Sequence, residues 1–171
     1  MVADDGAVSL AGSFREVMAR VCTPVAVVAA MDGERPHGTT VSAFVSLSMN
    51  PPMALVSLDK GSDLLALLRP GRPFAINVLS RRQADLAAGF ARKGTSKFEG
   101  VGWSRRMGVP RLTGSLGWLG CEVAEQVPGG DHVIVLGSVF EAVSEPGEPL
   151  IYHERAFGTY AALGGPVVAA R

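Results

Sequence analysis

A chain of 171 residues that is 47% hydrophobic and 19% charged has the size of one domain and the balance of a core-forming globular protein, which excludes a disordered chain. Sixteen Lys and Arg cancel sixteen Asp and Glu, so a general affinity for nucleic-acid backbones or anionic membranes is not expected, although a local anion site is still allowed. No apolar run reaches the ~20 residues that cross a bilayer. Met1 to Ser9 carries Asp4 and Asp5 but no basic cluster, unlike a secretory signal. Cys22 and Cys121 stand far apart and outside any CxxC; they read as two free, buried thiols in a reducing cytoplasm.

Residues 1–13 read as a flexible arm. Ser13-Phe-Arg-Glu16 has capping-box spacing and predicts a short helix over Phe14–Val21, ended by Cys22-Thr-Pro24. Val25 to Met31 is apolar and too short for a long helix, so a buried strand is expected. Asp32-Gly33 then signals a hairpin turn into a second strand over His37–Met49. Asn50-Pro51-Pro52 breaks that strand, and Met53–Leu58 forms a third. After a polar loop over 59–62, Asp63–Arg69 has the look of two helical turns, stopped by Pro70-Gly71. Pro73–Ser80 reads as strand and Arg82–Ala91 as helix. Two long β stretches over Leu112–Val127 and His132–Val143 are joined by Pro128-Gly-Gly-Asp131, and Leu150–His153 is a last strand before a tail over 161–171. Strands joined by short turns, with a few short peripheral helices, predict a mainly β fold: an antiparallel Greek-key split β-barrel, not a βαβ wind.

Several chemistries lack their motifs. No GxGxxG follows a strand, no HExxH or paired cysteines accompany His37, His132 and His153, and no GxSxG is present. Gly89-Phe-Ala-Arg-Lys-Gly94-Thr95 resembles a phosphate-binding P-loop only by chance, because its Lys precedes the second Gly and the segment follows a helix.

The informative segment is Gly38-Thr-Thr-Val-Ser-Ala-Phe-Val-Ser-Leu-Ser48. Ser42, Ser46 and Ser48 share a parity, as do Gly38 and Thr40, and on one strand these point to one face. Such a face can simply meet water. It can also hold a phosphate or the edge of a heteroaromatic ring without fixed charge.

The longer string TTVSAFVSLSMNPPMALVSLDKGS resembles the flavin-binding stretch of the short-chain flavin reductase family that partners two-component monooxygenases. Phe74-Ala-Ile-Asn-Val-Leu79, Gln83-Ala-Asp-Leu86, Phe90-Ala91, Lys97-Phe-Glu-Gly100, Gly130-Asp-His132 and Leu150-Ile-Tyr-His153 follow in family order. The resemblance covers about 14–160 and implies one flavin-binding split-barrel domain. It implies a homodimeric enzyme that passes hydride from NADH or NADPH to FMN, with FAD possible, and releases reduced flavin to a separate monooxygenase or halogenase.

Carried over residue by residue, the resemblance places flavin on Thr39, Thr40, Val41 and Ser42, on Ser46, Leu47 and Ser48, and on Ser57, Leu58, Asp59, Lys60 and Ser62. Lys60 and Ser62 hold the phosphate side, and main-chain amides near Val41 to Ala43 reach the ring. Phe90, Lys97 and Phe98 close over the flavin, Phe90 being equally readable as helix core. His132 is placed at the nicotinamide, the other reading being a turn histidine bonded to Asp131. Tyr152, His153 and Arg155 complete that end, although Glu154 stands where many relatives have Gly. Other readings are a non-enzymatic flavin or electron carrier, a pyridoxamine-phosphate oxidase-like enzyme on the same barrel, and, weakly, an oligonucleotide-binding barrel.

Overall fold

The computed structural model describes residues 9–94 and 96–163. Helix α1 (Leu10–Ala19) begins a turn earlier than the capping box at Ser13 predicts. Ser9 is the cap: its side chain accepts from Gly12 N at 3.2 Å, while the Ser13 amide already donates to Ser9 O at 2.9 Å as an interior helical bond. A two-residue strand β1 (Thr23–Pro24) follows, then β2 (Ala26–Asp32) and β3 (Arg35–Val41), which pair about the Gly33-Glu34 turn. The positive φ of +59° at Gly33 explains the glycine.

The strand expected over His37–Met49 is two strands. After β3 the chain bends at Ser42-Ala43 and continues as β4 (Phe44–Met49), which pairs not with β2 but with β5 (Pro52–Asp59) across the cis Asn50–Pro51 bond. A bulge sets Leu47 out of register between Ser46 and Ser48. The hydroxyls therefore do not form one continuous face, and Ser42 and Ser46 are exposed, not buried in the barrel. Residues Asp63–Leu67 form a 3-10 turn where two helical turns were expected. Strand β6 (Pro73–Val78) leads through Arg81–Gln83 into α2 (Ala84–Ala91). Here the capping box is real, on Ser80 and Gln83.

The β stretch expected from Leu112 is also divided. A small ribbon of β7 (Trp103–Arg106) and β8 (Val109–Leu112) ends before Gly114 at φ +82°, and the long β9 starts only at Gly117, running to Gly129. Strand β10 (His132–Ser144) pairs with it about Gly130-Asp131. Strands β11 (Ile151–His153) and β12 (Ala156–Gly158) make a three-stranded sheet with β1.

The main sheet is antiparallel throughout, in the order β3-β2-β6-β9-β10-β5-β4. Flat, seven strands at ~4.8 Å spacing would put the edges roughly 29 Å apart. The two residues between β3 and β4 can bridge only about 11 Å. The sheet must therefore curl until β3 lies against β5, and there the barrel is split: no ladder among the described residues closes that seam. Val28, Val56, Phe74, Ile76, Cys121 and Val135 fill one core, while Val27, Leu79, Ala87, Phe90 and Leu112 form a second under α2. Both faces of β2 are buried, which is why its sequence is a continuous apolar run. Cys121 is buried as expected; Cys22 is free but exposed, a correction that follows from its position just after α1, outside both cores.

Candidate functional site

The split between β3 and β5 opens into two adjoining clefts. The first, about 240 Å³, is lined by Thr39, Thr40, Val41, Ser42 and Ala43 on one side, by Ser57, Leu58, Asp59 and Ser62 on the other, and by His132 at its lip. The second, about 380 Å³, shares Thr39, Asp59 and Ser62 and adds His37, Gly61, Asp63, Ala91, Arg92, Lys93 and Lys97.

Local structure explains the first cleft. The bend that carries the chain from β3 to β4 takes Ser42 and Ala43 out of the ladders. Ala43 O accepts from Ser57 N at 2.8 Å, but the amides of Ser42 and Ala43 have no acceptor among the described residues. Two adjacent free N–H groups beside the hydroxyls of Thr39, Ser42, Ser57 and Ser62 suit the carbonyl and imine edge of a heteroaromatic ring. The one carboxylate there, Asp59, accepts from Gly61 N at 2.6 Å and shapes its own loop. This donor set fits a flavin.

His132 faces Asp59 across the β5–β10 ladder. Its Nδ1 lies 2.8 Å from Asp131 Oδ1, and that bond holds the Asp131 carboxyl below the usual carboxylate range. A carboxylate on Nδ1 fixes the ring and leaves Nε2 free. His132 is bonded to Asp131, as the turn reading expects, and it also lines the cleft.

In the second cleft, Lys97 Nζ donates to Gly38 O at 3.2 Å and to Phe90 O at 3.0 Å. Burial lowers its pKa, with Asp63 opposing. Burial also lowers that of His37, followed by the Lys97 charge.

Thr40 lines the first cleft, but its Oγ1 donates to Ala87 O at 2.7 Å. The remaining expected residues lie elsewhere. Ser46, Leu47 and Ser48 sit on edge strand β4 outside the clefts, with Ser48 Oγ accepting from Asn50 N. Lys60 lines neither cleft; its Nζ donates to Gly130 O at 2.5 Å. Phe90 is fully buried, edge-on to Phe98 at 4.8 Å, and Phe98 packs in turn on Trp103, so both serve the core beneath α2. Tyr152, His153 and Arg155 lie on the small sheet, where Arg155 pairs with Glu16 of α1 at 2.6 Å. Within one chain these three do not join His132. Ala43, His37, Arg92 and Lys93 line the clefts without having been singled out as cofactor-binding side chains. Arg92 and Lys93 stood in the sequence inside the dismissed P-loop resemblance.

Residues 18–161 match the flavin reductase like domain. The chain belongs to that family. It is 39% identical to the reductase component of a 4-nitrophenol 4-monooxygenase/4-nitrocatechol 2-monooxygenase from Rhodococcus opacus, over 86% of this chain and 80% of that one. It is 38% identical to the FMN reductase (NADH) SmoA of Agrobacterium fabrum, over 86% and 85%. Among solved structures, the NADH:FAD oxidoreductase SgcE6 of Streptomyces globisporus, in complex with NAD and FAD fragments, superposes with a TM-score of 0.82 at 30% identity, over 89% of this chain and 93% of that one. Membership in this family agrees with the mainly β, antiparallel fold.

Proposed function

We propose that this flavin reductase works at the seam of its own barrel, with the ring system of FMN or FAD in the first cleft and a reduced nicotinamide meeting it at His132. The protein is an NAD(P)H-dependent flavin oxidoreductase that supplies reduced flavin to a separate monooxygenase or halogenase. The observation that carries the assignment of the site is the pair of free amides at Ser42 and Ala43 opposite Ser57, with His132 at the mouth.

Bound flavin supplies the hydride acceptor. The chain's own residues position and polarise. The Ser42 and Ala43 amides would hold the edge of the ring as fixed donors, and such donors would favour the negative charge gained on reduction. Leu58 and Val41 give the ring an apolar wall. His132, held by Asp131, keeps Nε2 for the nicotinamide carboxamide. No nucleophile is needed, because hydride transfer is chiefly a matter of close approach and excluded water.

The functional domain is taken as 14–160, acting in the cytoplasm as a homodimer. No helix among the described residues is long and apolar enough to cross a membrane. Helix α1 supports the dimer. It buries none of its residues, yet Leu10, Phe14 and Val17 are 87%, 64% and 63% exposed, with Met18 and Val21 continuing the stripe. Val45, Leu47 and Met49 on β4 are exposed too. A second copy of the chain covers such surface, and it is also the means by which Tyr152 and His153 reach a nicotinamide site that one chain does not assemble.

The test is anaerobic. FMN or FAD is mixed with NADH or NADPH and catalytic protein, and flavin absorbance is followed. Multiple turnovers of bleaching are expected. Stoichiometric flavin binding with no turnover would leave a carrier, and oxygen-dependent amine oxidation without nicotinamide would leave the oxidase-like reading.

A further inference from the structure

We infer that the chain carries a further small-molecule site, sharing no lining residue with the two clefts of the seam, and that it takes a free amino acid or similar small zwitterion with an apolar side chain.

The site lies where the chain passes from β8 to β9 and meets the segment that follows β10. Its cavity of about 410 Å³ is walled by Arg111, Gly114, Ser115, Leu116, Glu145 and Pro146, none of which lines either cleft. That volume falls in the range of small-ligand sites, ~300–1,000 Å³. The walls come from separate segments that are tied to the barrel. Thr113 N donates to Gly102 O at 2.9 Å, Leu116 N to Val78 O at 2.9 Å and Glu145 N to Leu116 O at 2.7 Å, while Thr113 O accepts from Gln83 Nε2 at 3.0 Å.

Two donors there lack acceptors. Ser115 is only 8% exposed, and its Oγ is the one buried side-chain polar atom among the described residues that has no partner. Leaving such a hydroxyl unpaired costs ~1–3 kcal/mol, which an acceptor brought by a ligand would relieve. Gly114, at φ +82°, turns the chain, and its amide has no acceptor among the described residues.

The charges decide what kind of ligand fits. Arg111 and Glu145 are joined by a single bond, Nη2 to Oε1 at 2.9 Å, so the remaining guanidinium N–H groups and Glu145 Oε2 have no partner among the described residues. The neighbouring carboxylate, Glu141, is already committed to Arg106. An anion would bring uncompensated charge against Glu145, and a cation would do the same against Arg111. A zwitterion brings both charges and no net one. Its carboxylate accepts from Arg111, Gly114 N and Ser115 Oγ, its ammonium donates to Glu145, and its side chain rests on Leu116 and Pro146. Leu116 is a firm wall, packed across Gly147 so closely that a Cβ there would lie 2.5 Å from its Cδ2.

The experiment titrates L-leucine, N-acetyl-L-leucine and L-leucinamide into the full chain by calorimetry, with and without saturating FMN, using thermal melts as the folding control. Leucine should bind about tenfold or more tightly than either blocked analogue, the worth of one charge-assisted hydrogen bond, and FMN should leave its Kd unchanged. Arg111→Gln should erase the preference for leucine over leucinamide, Glu145→Gln the preference over N-acetyl-leucine, and Ser115→Ala should weaken leucine by about threefold or more. Should Arg111→Gln fail to fold, the more exposed Glu145→Gln decides. No saturable leucine binding up to about 10 mM, equal binding of all three probes, or a preference that survives in both charge variants overturns the inference. Displacement of leucine by FMN also overturns it, because the probe would then sit in the seam.

Discussion

On the proposed reading, the hydride-transfer site asks little chemistry of His132. Its ring is clamped on Nδ1 by Asp131, whose carboxyl that bond holds below the usual carboxylate range, so what it offers is a fixed Nε2. His132→Ala is therefore expected to raise the KM for NADH by about tenfold, the worth of one good hydrogen bond, while changing flavin affinity by less than about twofold. Steady-state kinetics against NADH, set beside flavin titration, checks this; unchanged NADH kinetics would remove His132 from the site. Asn77 is the structural counterpart. It is fully buried, gives its amide to Val27 O and Pro110 O, and accepts from Leu112 N at 2.8 Å, which clasps β8 to the barrel. Nothing in its sequence context separates it from a flavin ligand.

At the scale of elements, α1 is amphipathic with its apolar face turned outward, which is stable only when something covers it. Phe14→Asp/Val17→Asp places two charges in that stripe without touching either core. The expected outcome is conversion of dimer to monomer in sedimentation or light scattering, with NADH-dependent reduction falling at least tenfold and flavin binding retained in part. A wild-type monomer with full activity would refute the arrangement. The bend at Ser42-Ala43 is the other decisive element. Alternation along 38–48 reads as one strand, yet the chain leaves the ladder for two residues, and those two provide the free amides.

For the molecule as a whole, stability and the site share one device, the curled sheet. Cys121 lies inside it with no exposure, and burial pushes its thiol up to about 12 from an ordinary 9.0. Between those values the unfolded chain has lost the proton and the folded chain has kept it, so stability falls as pH rises from about 9 toward 12. The slope approaches ~1.4 kcal/mol per pH unit. Denaturant unfolding at pH 8, 9.5 and 10.5 should show this decline. Cys121→Ala should start less stable, because it leaves a small cavity, but lose this component of the slope. Parallel declines in both proteins would assign the effect to other groups.

What the sequence determined by itself was what lies in short-range pattern: the β-rich class, the hairpin turns signalled near Gly33 and at Gly130-Asp131, the buried strand β2, and the ordered blocks that mark the flavin reductase family. Local preferences act over a few residues, and those features need no more. The start of α1 was misplaced because two serines compete as caps and only the surroundings choose. The site was legible as a region, not as a set of side chains. Thr39, Ser42, Ser57 and Ser62 come together only because two residues between β3 and β4 are too few to span a flat sheet, so the barrel closes and leaves a seam. That closure is also what frees the amides of Ser42 and Ala43, turns Lys60 onto Gly130 and brings Arg92 and Lys93 beside Ser62. These depend on which distant segments meet, and long-range meeting is set by packing and chain connectivity, which local spacing does not encode.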